Sequence, residues 1–508
     1  MRPGDAPRAK GVPDAAAGGA GAASAGDTGG ANAGDTGSAN AGRGSGPTLA
    51  DTARSGGRSS AADSAHSPSD TGRRANEPAS GVTETTIRVA FYWPEASAGS
   101  PAAQAYYAAL PGFRPDDEVR SIRAFVQYIN DHADGGGSVL GRPFNLHGRK
   151  IALTIVDSGG DNPEANRAAA EKLLKEVRPF AALSDAKPET KRICPILASA
   201  KVFNIGVWDA SFDLTERTNN FCSSMVSFRE SAEASKNYIA QRMDKTQYTR
   251  AGAPAKRRYG IVYSEYSDLA ASGPKIVKQF KDAGLDVAAS AAVSGDFETG
   301  TQQGANVVAQ FRNAGVNTVV SPESLALVGF THAAKSQAYF PEYYIWPGAQ
   351  DAAAVARLYE PQQWAGAIGL TNGDPDLSGD FGGNDTMRDT EWYRAYSRYD
   401  QSGYVPIYAA QQWMSLGYLL AGITGAGRDL NSDTFKAALA KVEPYRYSFR
   451  AGRTTNPLNM LIRLGEPTRI LSDFAVVRWN AAKQAPGAAA PGDLEFVENA
   501  KRYDAREF

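Results

Sequence analysis

Short polar or aromatic segments, each just after an apolar run, are the places where this chain is equipped to hold a small solute. They are Trp93, Ser184-Asp185, Trp208-Asp209 with Ser211, Tyr266, Glu323 and Gln350. Serine hydroxyls and the amides at helix starts suit a carboxylate or a carbonyl. Aromatic rings give a stacking wall, and a carboxylate holds an ammonium. Each residue also has a plain structural reading. Ser184 is placed to cap a helix, and Asp185 and Asp209 are caps or turn formers. Trp93, Trp208 and Tyr266 are ordinary packing residues in that reading, and Glu323 favours a helix N-terminus.

Catalytic spacings are missing. There is no Gly-x-Ser-x-Gly elbow, no phosphate loop and no His-Glu-x2-His pair. The four histidines, His66, His132, His147 and His332, do not have metal-ligand spacing. The expectation is a protein that is not an enzyme and needs no cofactor, with an enzyme kept as the rival class. One stretch, Asp374, Asp376, Ser378, Asp380 and Asp385, resembles a calcium loop, because carboxylates at alternating places can turn in on one hard cation. Pro375 stiffens it and its last ligand is Asp instead of Glu, so an acidic, Gly-rich surface loop is the plainer reading. Two cysteines, Cys194 and Cys222, allow one disulfide worth roughly 3 kcal/mol; two buried thiols are the alternative.

The elements that must carry these residues alternate along the chain. From Thr86 onward, apolar runs of strand character follow helical stripes. Ile87–Tyr92 is the first strand, and Val119, Ile122, Phe125, Val126 and Ile129 form a helix face. Strands follow at 151–156, 180–183 and 202–207. The pattern restarts near residue 228, with strands at 259–263, 286–291, 317–320, 343–346 and 364–370. Lys281-Asp-Ala-Gly284 and Arg312-Asn-Ala-Gly315 are matching helix ends, with Gly where a left-handed residue is wanted. Strands joined by crossover helices make parallel sheets covered on both faces. Two such series imply an α/β fold of two lobes. A long apolar helix at 407–423 and late strands at 458–464 and 474–479, expected to pair with an existing sheet, make both lobes discontinuous. The expected boundaries are 85–227 plus about 366–442 for lobe 1, and 228–365 plus about 443–508 for lobe 2.

Residues 1–84 are Gly, Ala, Ser, Asp and Thr with almost no large apolar side chain, and Ala25–Asn32 recurs nearly unchanged as Ala33–Asn40. Such a stretch cannot offset chain entropy by burial, so it reads as a disordered, flexible tether. A net charge of −1 gives no hint of nucleic acid or an anionic membrane. No run reaches the roughly 20 apolar residues of a membrane span. The opening Met1-Arg2-Pro3-Gly4 shows no signal peptide, yet a tether of this composition follows the lipid anchor of many surface lipoproteins. Taken literally, that opening predicts a cytoplasmic protein; the tether points instead to an extracytoplasmic location, tethered to the outer face of the cell membrane, and that is the expectation.

The chain resembles the type I periplasmic solute-binding proteins of ABC transporters, in the branch that binds branched-chain amino acids. The pieces that carry the likeness are Ile129-Asn130 with Gly135-Gly136-Gly137 and Leu140-Gly141-Arg142; Val156-Asp157 with Asp161–Ala165; Ala283-Gly284; and Tyr408-Ala409-Ala410. The resemblance spans about residues 86 to 480. It implies two Rossmann-like lobes with parallel sheets joined by a three-crossover hinge. It also implies a monomer that captures a small solute for an ABC transporter permease, or a ligand-sensing receptor of the same fold. Relatives that bind amino acids place a small residue and a Thr in the loop after the fourth strand. Here that loop is Val207-Trp208-Asp209-Ala210-Ser211. The departure points away from a standard aliphatic amino acid and toward an amide, an aromatic, a cationic or a larger solute.

Overall fold

The computed structural model describes residues 80–508 apart from 94–115, 158–162, 185–192, 207–210, 224–225, 247–255, 266, 295–296, 352, 374–384, 404–405, 407–408, 449–459, 468 and 485–490. The expected tether lies almost wholly outside the described residues.

Alternation along β1 (Thr86–Trp93) builds the first half. Ile87, Val89 and Phe91 enter one core, and Ala90 and Tyr92 enter another on the opposite face, as the two-residue period of a strand dictates. Four strands join it in parallel: β2 (Lys150–Asp157), β3 (Ala181–Ser184), β4 (Phe203–Ile205) and β5 (Cys222–Ser223). Their order is β2-β1-β3-β4-β5. The crossovers run through α1 (Asp117–Asp131), α2 (Pro163–Lys172) and α3 (Cys194–Ser199). The buried face of α1 includes Val119, Ile122, Phe125, Val126 and Ile129, the stripe read from the sequence. Cys194 and Cys222 form a disulfide that ties the start of α3 to β5, with Cα atoms 6.0 Å apart.

The second half repeats the scheme. β6 (Tyr259–Ser264), β7 (Val287–Val293), β8 (Thr318–Val320), β9 (Glu342–Ile345) and β10 (Ile368–Thr371) are parallel. Its helices are α4 (Phe228–Gln241), α5 (Ser267–Asp282), α6 (Phe297–Asn313) and α7 (Leu325–Ser336). The Ser227 hydroxyl caps α4 by accepting from the Glu230 amide. Gly284 and Gly315 take φ of +82° and +68° just after α5 and α6. That left-handed turn releases the chain toward β7 and β8, as the sequence led us to expect.

The chain passes between the halves three times. The first passage lies between β5 and α4, where Val226 packs against both cores. The second follows β10. The chain then returns to the first half as α8 (Ala409–Ala426) and α9 (Ser432–Ala440), whose Trp413, Leu416, Leu419 and Phe435 complete the first core. The third passage follows a hairpin of β11 (Tyr445–Tyr447) and β12 (Met460–Ile462). Beyond it, β13 (Asp473–Asn480), β14 (Asp493–Phe496) and β15 (Arg502–Asp504) extend the second sheet antiparallel, giving β14-β13-β10-β9-β8-β6-β7 with β15 on β13.

Two details differ from the sequence expectation. β12 pairs with β11 in a ribbon of its own instead of joining a large sheet, and Tyr447, Met460, Ile462, Ile470 and Leu471 lie in the first core. β10, at 368–371, belongs to the second sheet, and the residues just before it, Pro361–Trp364, are a helical turn. β10 is thus a strand of the second sheet, and the ribbon of β11 and β12 packs on the first core. Short apolar strands look alike in sequence, and only their pairing partners say which sheet receives them. Among the described residues, no helix is long and apolar enough to cross a membrane.

Candidate functional site

The carboxyl ends of the two parallel sheets carry the candidate residues. In such sheets, ligands sit beyond these ends, where loops expose backbone groups. In the first half, the register sets Trp93 beside Asp157 and Tyr92 beside Ser184. Trp93 is half-buried against the first core, and its indole N–H is enclosed without a hydrogen-bond partner among the described residues. Ser184 is buried and its hydroxyl donates to the Asn204 side-chain oxygen. Asn204 in turn donates from Nδ2 to Cys194 Sγ at 3.2 Å. Ser223, at the end of β5, keeps a buried hydroxyl that has no partner among the described residues. Gly206, directly after β4, has φ of +86°, and a Cβ there would run into the Ser415 hydroxyl. Glycine is what lets the loop leave β4 beside Ser184.

In the second half, several candidates serve the scaffold. Gln350 is fully buried; its oxygen accepts from the Trp346 amide at 2.7 Å, and its Nε2 donates to the Ser321 and Glu323 carbonyls at 3.1 and 2.9 Å. It staples the loops after β8 and β9. The Glu323 carboxylate accepts from the Ala326 amide at 2.6 Å, in the first turn of α7. That is the helix-start role weighed from the sequence. In the first half, likewise, the Ser211 hydroxyl accepts from the Leu214 amide at 3.1 Å at the start of the turn Leu214–Arg217. Asp185, Trp208, Asp209 and Tyr266 lie outside the described residues. So do Asp374, Asp376, Ser378 and Asp380, while Asp385 begins the short helix Asp385–Arg388. Among the described residues, no group of three His, Cys, Asp or Glu is placed to hold a metal.

The residues that join the halves were not singled out in the sequence. Phe212, on the segment between β4 and β5, packs edge-on against Phe228 with ring centres 5.7 Å apart. Phe228 lies 5.9 Å from the ring of Trp346, the residue that follows β9. Phe212 is a half-buried apolar residue between Ser211 and Asp213, and that isolation in a polar segment was the available signal. The segment between β4 and β5 thus packs through Phe212 on Phe228, at the start of α4, and Phe228 packs in turn on Trp346 just after β9.

Asp351 was also missed, one residue beyond Gln350. Its carboxylate accepts from the Thr371 hydroxyl at 2.8 Å and from the Gly348 amide at 2.8 Å. Burial of the carboxyl pushes its pKa up to about 6, against the lowering effect of these donors. The residue as a whole keeps some exposed area. Its raised pKa means that the folded state holds the proton more tightly than the unfolded chain. Its contribution is full below pH 4 and is lost as pH rises through about 6. The melting temperature of Asp351→Asn should therefore show a weaker decline from pH 4 to pH 7 than that of the parent chain. Parallel melting curves across that range would contradict the assignment.

One open groove lies elsewhere, beside the edge strand β2, where Leu153, Thr154 and Ile155 face Arg123, Gln127 and Asn130 of α1. It does not include the strand ends.

Comparison with known proteins agrees with this architecture. The family described as "Periplasmic binding protein" matches residues 116–484. No curated protein matches the chain in sequence. Among solved structures, the chain is similar to a solute-binding protein of an ABC transporter from Rhodopseudomonas palustris BisB5, crystallised with 3,4-dihydroxybenzoic acid. Identity is 13%, coverage is 83% of this chain and 98% of that one, and the TM-score is 0.55. It is also similar to an ABC transporter substrate-binding protein from Aeropyrum pernix, with 12% identity, 83% and 96% coverage, and a TM-score of 0.56. A Desulfitobacterium hafniense substrate-binding protein in complex with Leu shares 14% identity over 81% of this chain and 100% of that one, with a TM-score of 0.50.

Proposed function

The chain belongs to the periplasmic binding protein family, and from that premise we propose that it captures a small polar or aromatic solute between its halves and delivers it to the permease of an ABC importer. The observation that carries this reading is the packing of Phe212, on the segment between β4 and β5 of the first half, against Phe228 and through it Trp346, just after β9 of the second half. Loops that meet there can enclose a solute that neither half retains alone. Closing them excludes water and strengthens each polar contact. Trp93 and Ser184 supply the wall and the hydroxyl of the first half. Asp185, Trp208, Asp209 and Tyr266 stay as candidate contacts on sequence grounds. An extracytoplasmic location follows from the family, and residues 1–84 act as a tether to the outer face of the membrane. The chain acts as a binder without catalysis and as a monomer.

The bound solutes named for the similar structures, aromatic acids and leucine, set the range to be tried. The test is a thermal-shift screen of the full chain against amino acids, amides, polyamines and aromatic acids, followed by calorimetric titration of each hit. The expected result is one-to-one binding, with roughly 2.7 kcal/mol of added stability at about 100 times the dissociation constant. Silence across the whole panel would overturn the reading.

A further inference from the structure

The donor and acceptor roles at Ser184 can be read from the disulfide outward. Cys194 Sγ is bonded to Cys222 and carries no hydrogen, so it can only accept. Asn204, which contacts that sulfur at 3.2 Å, must turn its NH2 group toward it. Its side-chain oxygen then points to Ser184, and the single hydroxyl hydrogen of Ser184 goes to that oxygen. Asn204 is fully buried, so water does not compete for either end of its amide. Only lone pairs remain on Ser184 Oγ for any further partner. The direction of the chain is thus set by a sulfur that is two hydrogen bonds away.

We propose that the Ser184 end of the site accepts a hydrogen bond from the solute and selects an N–H or O–H donor, such as an amide, an ammonium or a phenol, over a carboxylate. The proposal rests on the solute-capture reading and narrows its ligand class. It reverses what the residue type alone suggests, since a free serine hydroxyl would donate to a carboxylate. A carboxylate oxygen set against Ser184 here would place lone pairs against lone pairs beside a buried hydroxyl, leaving a charged acceptor unsatisfied. Asn204 acts as a positioning residue. It holds the hydroxyl hydrogen away from the site, and the Cys194–Cys222 disulfide keeps Asn204 in that orientation.

The test uses matched pairs in which the amide or the carboxylate is the only polar group: benzamide against benzoate, 4-methylbenzamide against 4-methylbenzoate, and isovaleramide against isovalerate. Binding to the full chain is measured by calorimetry. In the pairs that bind, the amide should be favoured by about tenfold, the scale of one hydrogen bond made or refused. Ser184→Ala should bring the two members within about threefold by removing the acceptor. Asn204→Leu frees the hydroxyl hydrogen and should invert the preference toward the carboxylate, which a purely structural role for Asn204 would not do. If Asn204→Leu does not fold, the Ser184→Ala comparison carries the result alone. A carboxylate preferred in the parent chain, or an amide preference that survives Ser184→Ala, overturns this inference while solute capture stands. So does binding of other solutes in the screen but of none of these pairs. No binding by any solute at all removes both.

Discussion

Asp473→Ala is expected to destabilise the protein by about 3–5 kcal/mol, the cost of leaving a buried charge without its partner. The Asp473 carboxylate meets Arg502 Nε at 3.1 Å, with both side chains 2% exposed. It also meets Arg446 of β11 at 3.0 Å and accepts from the Leu461 amide at 3.0 Å. Arg502 further donates to the carbonyls of Asn372 and Gly373 at 2.7 and 3.2 Å. One buried pair therefore clasps the chain where it leaves β10 to the chain where it enters β13. These are two of the three passages between the halves. Without Asp473, the Arg502 guanidinium keeps only neutral carbonyls, and the passages lose their common tie. Urea unfolding of the variant checks this. A loss under 1 kcal/mol would mean that the cluster does not hold the passages. Arg469 plays a related part for the first passage, bridging Glu230 of α4 at 3.0 Å and Asp504 of β15 at 3.0 Å.

Glu342→Ala should have a cost of similar size, again about 3–5 kcal/mol, at the opposite end of the second sheet. Glu342 opens β9 and holds Arg257 through two contacts, at 2.7 and 3.1 Å, with the side chains 1% and 3% exposed. Arg257 also donates to the carbonyls of Met243 and Thr246 and so fastens the end of α4 to the sheet. Deleting the carboxylate strands the guanidinium in the interior. Replacing both partners together, Arg257→Met with Glu342→Leu, should cost less than either single change, because no unpaired charge is then buried. Because this pair lies at the amino ends of the strands, Glu342→Ala should leave solute affinity unchanged in protein that remains folded. Stability measured for the two single variants and the double variant, with binding at a temperature where all are folded, tests both statements. A double variant as unstable as the worse single would contradict the argument.

Much of the architecture was legible because it rests on periodicity. Ile87–Tyr92 and Ile151–Val156 alternate, α1 shows a clear apolar stripe, and Gly284 and Gly315 mark helix ends by the one conformation that favours glycine. The family pieces pointed the same way. The destination of short late strands was not legible, because β10 and β12 are each brief apolar runs whose sheet is decided by distant partners. The candidate site divides along a similar line. Placement at a strand end put Trp93 and Ser184 among the candidates, since the strand end is a sequence feature. It could not tell a side chain facing a solute from one that staples two loops, and Gln350 is engaged at both ends of its amide. Asn204 carried a signal, a lone polar residue inside the apolar run Val202–Val207. Its role depends on Cys194 and Ser184, which meet it only in the folded chain. Asp351 carried no signal beside Gly348, and only Thr371, brought from the next strand, explains its enclosed carboxylate.

On the proposed reading, one solute sits between the two halves, beyond the carboxyl ends of their sheets. A crystal structure of the chain with a solute returned by the screen tests it most directly. The expected result is a single bound molecule near Trp93, Ser184 and Phe212, with loops of both halves touching it. A molecule bound instead in the groove between β2 and α1, or held by one half alone, would contradict it.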